Sequence, residues 1–136
     1  MWTHEDSIET TATPAQIWKI FSDVSNWKKW NNGIENIEIH GAFANGTTFT
    51  MRVPGEDTFT STLIEVKENA SFTDETVLDG TRVLVHHKIM PLASGRTKII
   101  YSTEITGPAA AEFGPMVTGD FPDVLRALKN IVENSK

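Results

Sequence analysis

The chain predicts an α+β fold in which a curved antiparallel sheet of about seven strands, joined by two short helices, wraps a long C-terminal helix over a pocket. Three observations carry this expectation. From Ile34 to Ile105 apolar residues recur at every second position, cut into strand-length pieces by turn residues. Between Pro14 and Trp30 the spacing is helical instead. After Pro108 the alternation stops, and spacings of three and four take over to the end of the chain.

Each element follows from its own residues. Residues 5 to 12 alternate loosely and are rich in Thr, a strand signal that stops before Pro14. Thr13 reads as a helix cap and Pro14 as the first helical residue, and Ile17, Ile20 and Phe21 make residues 14 to 22 amphipathic. A second helical piece covers residues 24 to 30, with Trp27 and Trp30 three apart on one side. Ile37 and Ile39 alternate with Glu38 and His40, Asn45-Gly46 supplies a turn, and Phe49, Met51 and Val53 alternate with Thr50 and Arg52. Pro54-Gly55-Glu56-Asp57 turns into a strand carrying Ile64 and Val66, and residues 71 to 78 follow. Asp79-Gly80 closes the next hairpin, between that strand and residues 81 to 90. Residues 97 to 106 complete a meander of six strands.

The last quarter reads as one long helix with Phe113, Val117, Phe121, Val124, Leu128 and Ile131 along one stripe. Gly114-Pro115 and Pro122 should interrupt its hydrogen-bond ladder, so a bend or break is expected between 113 and 122. With no repeat or linker, residues 1–136 form a single domain. This is a helix-grip layout, and a sheet bent round one helix does not easily fill its own concavity, so an apolar interior pocket is expected.

Composition excludes several classes of function. Eighteen acidic residues against twelve basic ones give a net charge of −6, with the basic residues scattered, so nucleic acid is not an expected partner. The absence of cysteine removes disulfides, thiolate metal sites and cysteine nucleophiles. No run approaches a membrane span, and Met1 to Asp6 lacks the basic start and apolar stretch of a leader, so the expected location is the cytoplasm. Dinucleotide, phosphate-loop, nucleophile-elbow and zinc-protease signatures are missing, and no cofactor is expected.

Several stretches also resemble one family. Thr13-Pro14-Ala15-Gln16-Ile17-Trp18, Phe21-Ser22-Asp23-Val24, Trp27-Lys28-Lys29-Trp30 and Asn31-Asn32-Gly33-Ile34 are similar to the opening of START-like (SRPBCC, Bet v 1-like) proteins of the polyketide cyclase/dehydrase branch. Gly46-Thr47-Thr48-Phe49, Ser94-Gly95-Arg96-Thr97-Lys98 and Leu125-Arg126-Ala127-Leu128-Lys129 resemble later landmarks, so the likeness covers nearly the whole chain. It implies the same helix-grip fold, but a wide range of roles: lipid carriers, hormone receptors, cyclases and chaperone activators.

Candidate site residues follow from strand parity. Alternation with Val83, Val85 and Ile89 turns His87 toward the helix-covered face, and alternation with Ile99 and Ile105 does the same for Tyr101. The adjacent His86 then faces outward, which prevents the two histidines from sharing a metal, and no metal site is expected. His87 and Tyr101 could orient a ligand carbonyl or act as general acid and base, or simply be buried polar tips bonded to backbone or water. Asp74 shares parity with Phe72, and Asp120 lies at the edge of the helical stripe; exposure is expected for both, since an inward Asp74 would need His87 or a ligand donor as partner. Arg52 and Glu104 are expected in solvated or cross-strand pairs on the outer face. Trp18, Trp27 and Trp30 fix the short helices, with Trp30 also a candidate for the pocket mouth. Phe49, Met51, Phe113, Met116, Val117 and Phe121 serve as core and pocket wall together.

These residues support a carrier or sensor of a small hydrophobic, lipid- or polyketide-like ligand, in a monomer or homodimer. Two other readings stay open: a cofactor-independent cyclase or dehydratase using His87, Tyr101 and Asp74, and a protein-interaction module resembling the chaperone activators.

Overall fold

The computed structural model describes residues 1–31, 34–52, 55 and 58–134. Val53, the turn residues Pro54, Glu56 and Asp57, and Asn32-Gly33 of the family-like opening lie outside the described residues.

The chain opens with strand β1 (Trp2–Thr10) and helix α1 (Pro14–Phe21), followed by a 3₁₀ helix over Val24–Lys29. Strands β2 (Asn36–Ile39), β3 (Thr48–Arg52), β4 (Phe59–Lys67), β5 (Ser71–Leu78), β6 (Thr81–Pro91) and β7 (Thr97–Thr106) come next. Helices α2 (Ala110–Thr118) and α3 (Phe121–Asn134) close the chain. Among the described residues the seven strands form one antiparallel sheet in the order β1-β7-β6-β5-β4-β3-β2. The meander from β2 to β7 follows the alternation, and the chain crosses from β1 at one edge to β2 at the other through α1 and the 3₁₀ helix.

Local chemistry sets the boundaries. Thr13 and Gln16 form a reciprocal capping box at α1, Thr13 Oγ1 accepting from the Gln16 amide at 3.2 Å and the Thr13 amide donating to Gln16 Oε1 at 2.8 Å. Pro14 occupies the first turn, where its missing N–H costs nothing. At the β5–β6 hairpin Asp79 and Gly80 both take positive φ, 52° and 74°, the conformation that matches strand twist in a two-residue turn. A register shift between Ile64 and Lys67 places a bulge in β4, which bends that strand where Asn45 Oδ1 accepts the Val66 amide.

The C-terminal segment is helical as expected, with the expected interruption between 113 and 122. It breaks at Gly119-Asp120 into α2 and α3, inside the window that its glycines and prolines mark. Only α3 is fully docked, with Phe121, Val124, Leu125, Leu128 and Val132 buried, while α2 buries just Gly114 and Thr118. Gly114 is required by close approach: a Cβ there would lie inside the indole of Trp2 on β1.

The core lies between the concave face of the sheet and α1, the 3₁₀ helix and α3. Phe21, Phe49, Phe72, Leu63, Ile99 and Leu128 are almost completely buried there. It is unusually aromatic: Phe72 meets the rings of Trp18, Phe21, Trp27 and Phe43 at centroid distances between 5.0 and 6.4 Å. The concavity is thus largely filled by side chains of the chain itself.

Candidate functional site

Antiparallel register assembles the polar residues of the interior. Asp6 of β1 stands opposite Tyr101 of β7, Tyr101 opposite His87 of β6, and His87 opposite Phe72 of β5. In the neighbouring row His4, Thr103, Val85, Asp74 and Leu63 face one another in sequence. Directly opposed residues share a face, so both rows lie on the concave side. β6 stays in unbroken register through these positions, and the parity argument holds: His87 and Tyr101 are buried at 7% and 3% exposure, and Tyr101 meets Phe121 of α3 edge-on at 5.4 Å.

His87 is held on three sides. Its Nε2–H donates to Asp74 Oδ2 at 2.9 Å, its ring stacks on Phe72 at 4.0 Å, and Tyr101 presents an edge at 4.5 Å. The carboxylate accepts, so this bond places a proton on Nε2, and in the neutral tautomer Nδ1 is left as an acceptor. That Nδ1 has no hydrogen-bond partner among the described residues, nor does the hydroxyl of Tyr101. Both are therefore costly groups by themselves.

Electrostatics act in one direction on Tyr101. Burial pushes its phenol far above the ordinary value of 10.0, and the carboxylates of Asp74 and Asp120 add to the effect. Asp120 sits at the break between α2 and α3. It is exposed as a residue, yet partial desolvation raises its carboxyl above the usual range; a backbone hydrogen bond opposes the shift and Asp123 adds to it.

A third unpartnered buried atom, Trp30 Nε1, contrasts with Trp27, whose Nε1 donates to the Phe21 carbonyl at 2.9 Å. Trp30 is buried against Phe21 and lines a cleft of about 220 Å³ between the 3₁₀ helix and α3, together with Ile20, Asp23, Asn26, Lys29 and Ile131. Phe21 bridges inward from there, with its ring 5.9 Å from that of His87 and 6.4 Å from that of Tyr101. A larger groove of about 540 Å³ lies on the outer face around Thr73, His86, Lys88, Ser102 and Glu104. Size alone does not select it: its central His86 has both ring nitrogens partnered, by Thr73 and Glu104 at 2.9 Å each. The interior cluster holds the unsatisfied atoms, and we place the candidate site there.

Other expectations fare unevenly. Asp74 is not exposed: its side chain is 14% accessible and inward, with His87 as the required partner. Met116, expected in the pocket wall, is 66% exposed, because α2 rests on β1 by its Gly114 face and turns Met116 to solvent. Phe49, Phe121 and Trp30 are buried, while Met51, Val117 and Phe113 are half-buried. Arg52 pairs with Glu35 at 3.6 Å and Glu104 with His86, both on the outer face. Sequence reasoning missed Phe43, which reaches Phe72 from an irregular loop without any periodicity, and Asp6, whose alternation with Ile8 carried a signal. No group of three or more His, Asp or Glu side chains among the described residues could hold a metal ion. Among the described residues no helix is long and apolar enough to cross a membrane.

The fold recurs in solved structures. Norcoclaurine synthase from Thalictrum flavum, in complex with dopamine and hydroxybenzaldehyde, is 21% identical, with a TM-score of 0.74 over 99% of this chain and 88% of its own. A START superfamily protein from Mycobacterium smegmatis is 19% identical, with a TM-score of 0.75 over 98% of this chain and 99% of its own. A protein from Mesorhizobium loti shares 14% identity at a TM-score of 0.79, over 99% of both chains. No curated protein matches the sequence. The family described as polyketide cyclase/dehydrase and lipid transport matches residues 1–133, and with its helix-grip fold the chain belongs to that family.

Proposed function

We propose that the chain binds a small, largely apolar molecule in the aromatic interior beneath α3, as a carrier or sensor, with His87 and Tyr101 holding its polar end. One observation carries this: the His87 Nδ1 and the Tyr101 hydroxyl are buried, adjacent and unpartnered inside a shell of aromatic rings. Leaving a polar group buried without a partner costs about 1–3 kcal/mol, and a ligand group that meets both offsets that cost. The family, the START-like fold and the small aromatic molecules held by the Thalictrum protein all support the reading. Entry requires movement, because the interior is packed; the cleft beside Trp30 supplies a mouth, and the weakly docked α2 an element able to yield.

Native mass spectrometry of the gently purified full chain tests the proposal, followed by extraction and identification of any adduct. The expected result is a lipophilic adduct of one molecule per chain that is lost in His87→Phe and Tyr101→Phe. An adduct that both variants retain, or a chain that takes up no lipophilic probe, overturns it.

A second reading, a cofactor-independent cyclase or dehydratase, is favoured by the Asp74–His87–Tyr101 cluster. Asp74 orients the imidazole, whose free Nδ1 is a general base, and the Tyr101 phenol, kept protonated by its surroundings, is a general acid. Proton exchange at the carbon beside the carbonyl of a bound ketone, abolished in His87→Gln, is its signature. For the chaperone-activator reading, the exposed apolar side chains Val77 and Leu78 stand at one end of β6 and Met90 at the other, not on one patch.

A further inference from the structure

We infer that the molecule bound in this interior is elongated and carries an oxygen at each end, the outer one a hydrogen-bond acceptor held by the indole N–H of Trp30. The inference rests on the interior site proposed above and adds a second polar contact to it. Its support begins with the chemistry of the indole, whose Nε1 is a donor only, with no alternative tautomer or charge state. Trp30 is 5% exposed, and its Nε1 is buried with no hydrogen-bond partner among the described residues. Native folds satisfy nearly all such donors, so one left over calls for an acceptor from outside the chain.

The surrounding backbone does not supply that acceptor. Trp30 ends the 3₁₀ helix, and the carbonyls before it are already engaged. The Trp27 carbonyl accepts the amides of Trp30 and Asn31 at 3.1 and 3.0 Å, that of Phe21 accepts the Trp27 indole at 2.9 Å, and that of Ile20 accepts the Asp23 amide at 3.3 Å. Of the charged groups on the cleft, the Asp23 carboxylate accepts from the Asn26 amide at 2.6 Å, and Lys29 has no acceptor to offer. Position then sets the length of the ligand. The Phe21 ring lies 6.5 Å from the ring of Trp30 on the cleft side, and 5.9 and 6.4 Å from those of His87 and Tyr101 on the inner side. A naphthalene-sized apolar body lying along Phe21 reaches from one polar site to the other. At the inner end the Tyr101 hydroxyl both donates and accepts, so a hydroxyl or a carbonyl oxygen satisfies it whatever the protonation of His87. At the outer end only an acceptor does, and the polar rim of the cleft lies beside it.

Calorimetric titration of the full chain with 6-methoxy-2-naphthol and 6-ethyl-2-naphthol tests this, since the two share one shape and one hydroxyl and differ only in the ether oxygen. The methoxy compound is expected to bind about five- to tenfold more tightly, the increment of one neutral hydrogen bond to a donor otherwise left buried. Trp30→Phe, which keeps a ring in the core, should abolish that preference, while Tyr101→Phe should weaken both compounds and retain it. In the native chain the Trp30 indole N–H should shift downfield in the proton spectrum and gain protection from exchange with the methoxy compound but not with the ethyl one, a reading that needs no variant to fold. The Trp27 indole, already bonded to Phe21, is its internal control. Equal binding of the two compounds, or a preference that survives in Trp30→Phe, overturns the inference and leaves interior binding standing. An unmoved Trp30 N–H under saturating methoxy compound overturns it as well. Binding of neither compound overturns the interior site itself.

Discussion

Tyr101 is the only tyrosine in the chain, and its hydroxyl is buried without a partner. Tyr101→Phe removes a group that costs stability in the free protein, so chemical denaturation should show the variant equal to the native chain or more stable by up to about 1 kcal/mol. A loss above about 1 kcal/mol would mean that the hydroxyl is satisfied. Asp120 allows a test by pH. Its folded carboxyl titrates above the ordinary 3.8, so the native state holds the proton to higher pH than the unfolded state does. The ionised form therefore lowers stability at neutral pH, and this penalty is relieved as pH falls through the raised value toward 3.8. Asp120→Asn should melt higher than the native chain at pH 7, with the difference vanishing near pH 4. The parity of His87 and Tyr101 was legible, because alternation fixes the face of every strand residue once a few apolar neighbours are known. The partner of His87 was not: Asp74 is 13 residues away, and only the cross-strand register brings them to 2.9 Å.

At the scale of elements, α3 and α2 differ in what they bury. Leu128 is fully buried in the middle of the contact between α3 and the core, so Leu128→Ala should cost about 2–5 kcal/mol in chemical denaturation. The helical stripe placed it there, although the stripe omitted Leu125 and Val132, which are equally buried. α2 is pinned by the seat of Gly114 on Trp2 and carries Pro115 in its interior. Gly114→Ala should lift α2 from β1 and speed amide exchange across Ala110–Thr118, while Val124–Val132 stays protected. Uniform protection of both helices in the variant would show that α2 does not depend on this contact. The break between the helices was foreseeable from Gly119 and Pro122, since neither residue supports a continuous ladder. The looser half was foreseeable too, since the glycines and prolines collect before residue 123 and α2 is the half that buries little.

For the whole molecule, a ligand that binds only the folded chain must stabilise it by mass action. A lipophilic ligand at 100 times its Kd should add about 2.7 kcal/mol to the unfolding free energy, read by chemical denaturation with and without it. The sequence by itself determined the fold: two periods, one of two residues and one of 3.6, together with caps and turn residues, are local properties, and they specify strands, helices and the face each presents. It also determined the family, through stretches spread along nearly the whole chain. Only the tertiary structure decided that aromatic rings fill the concavity and that Asp74 pairs with His87. The physical reason is that these depend on sheet curvature, register across several strands and the angle at which a helix docks. Such quantities arise from contacts between residues distant in the chain, and no local pattern encodes them.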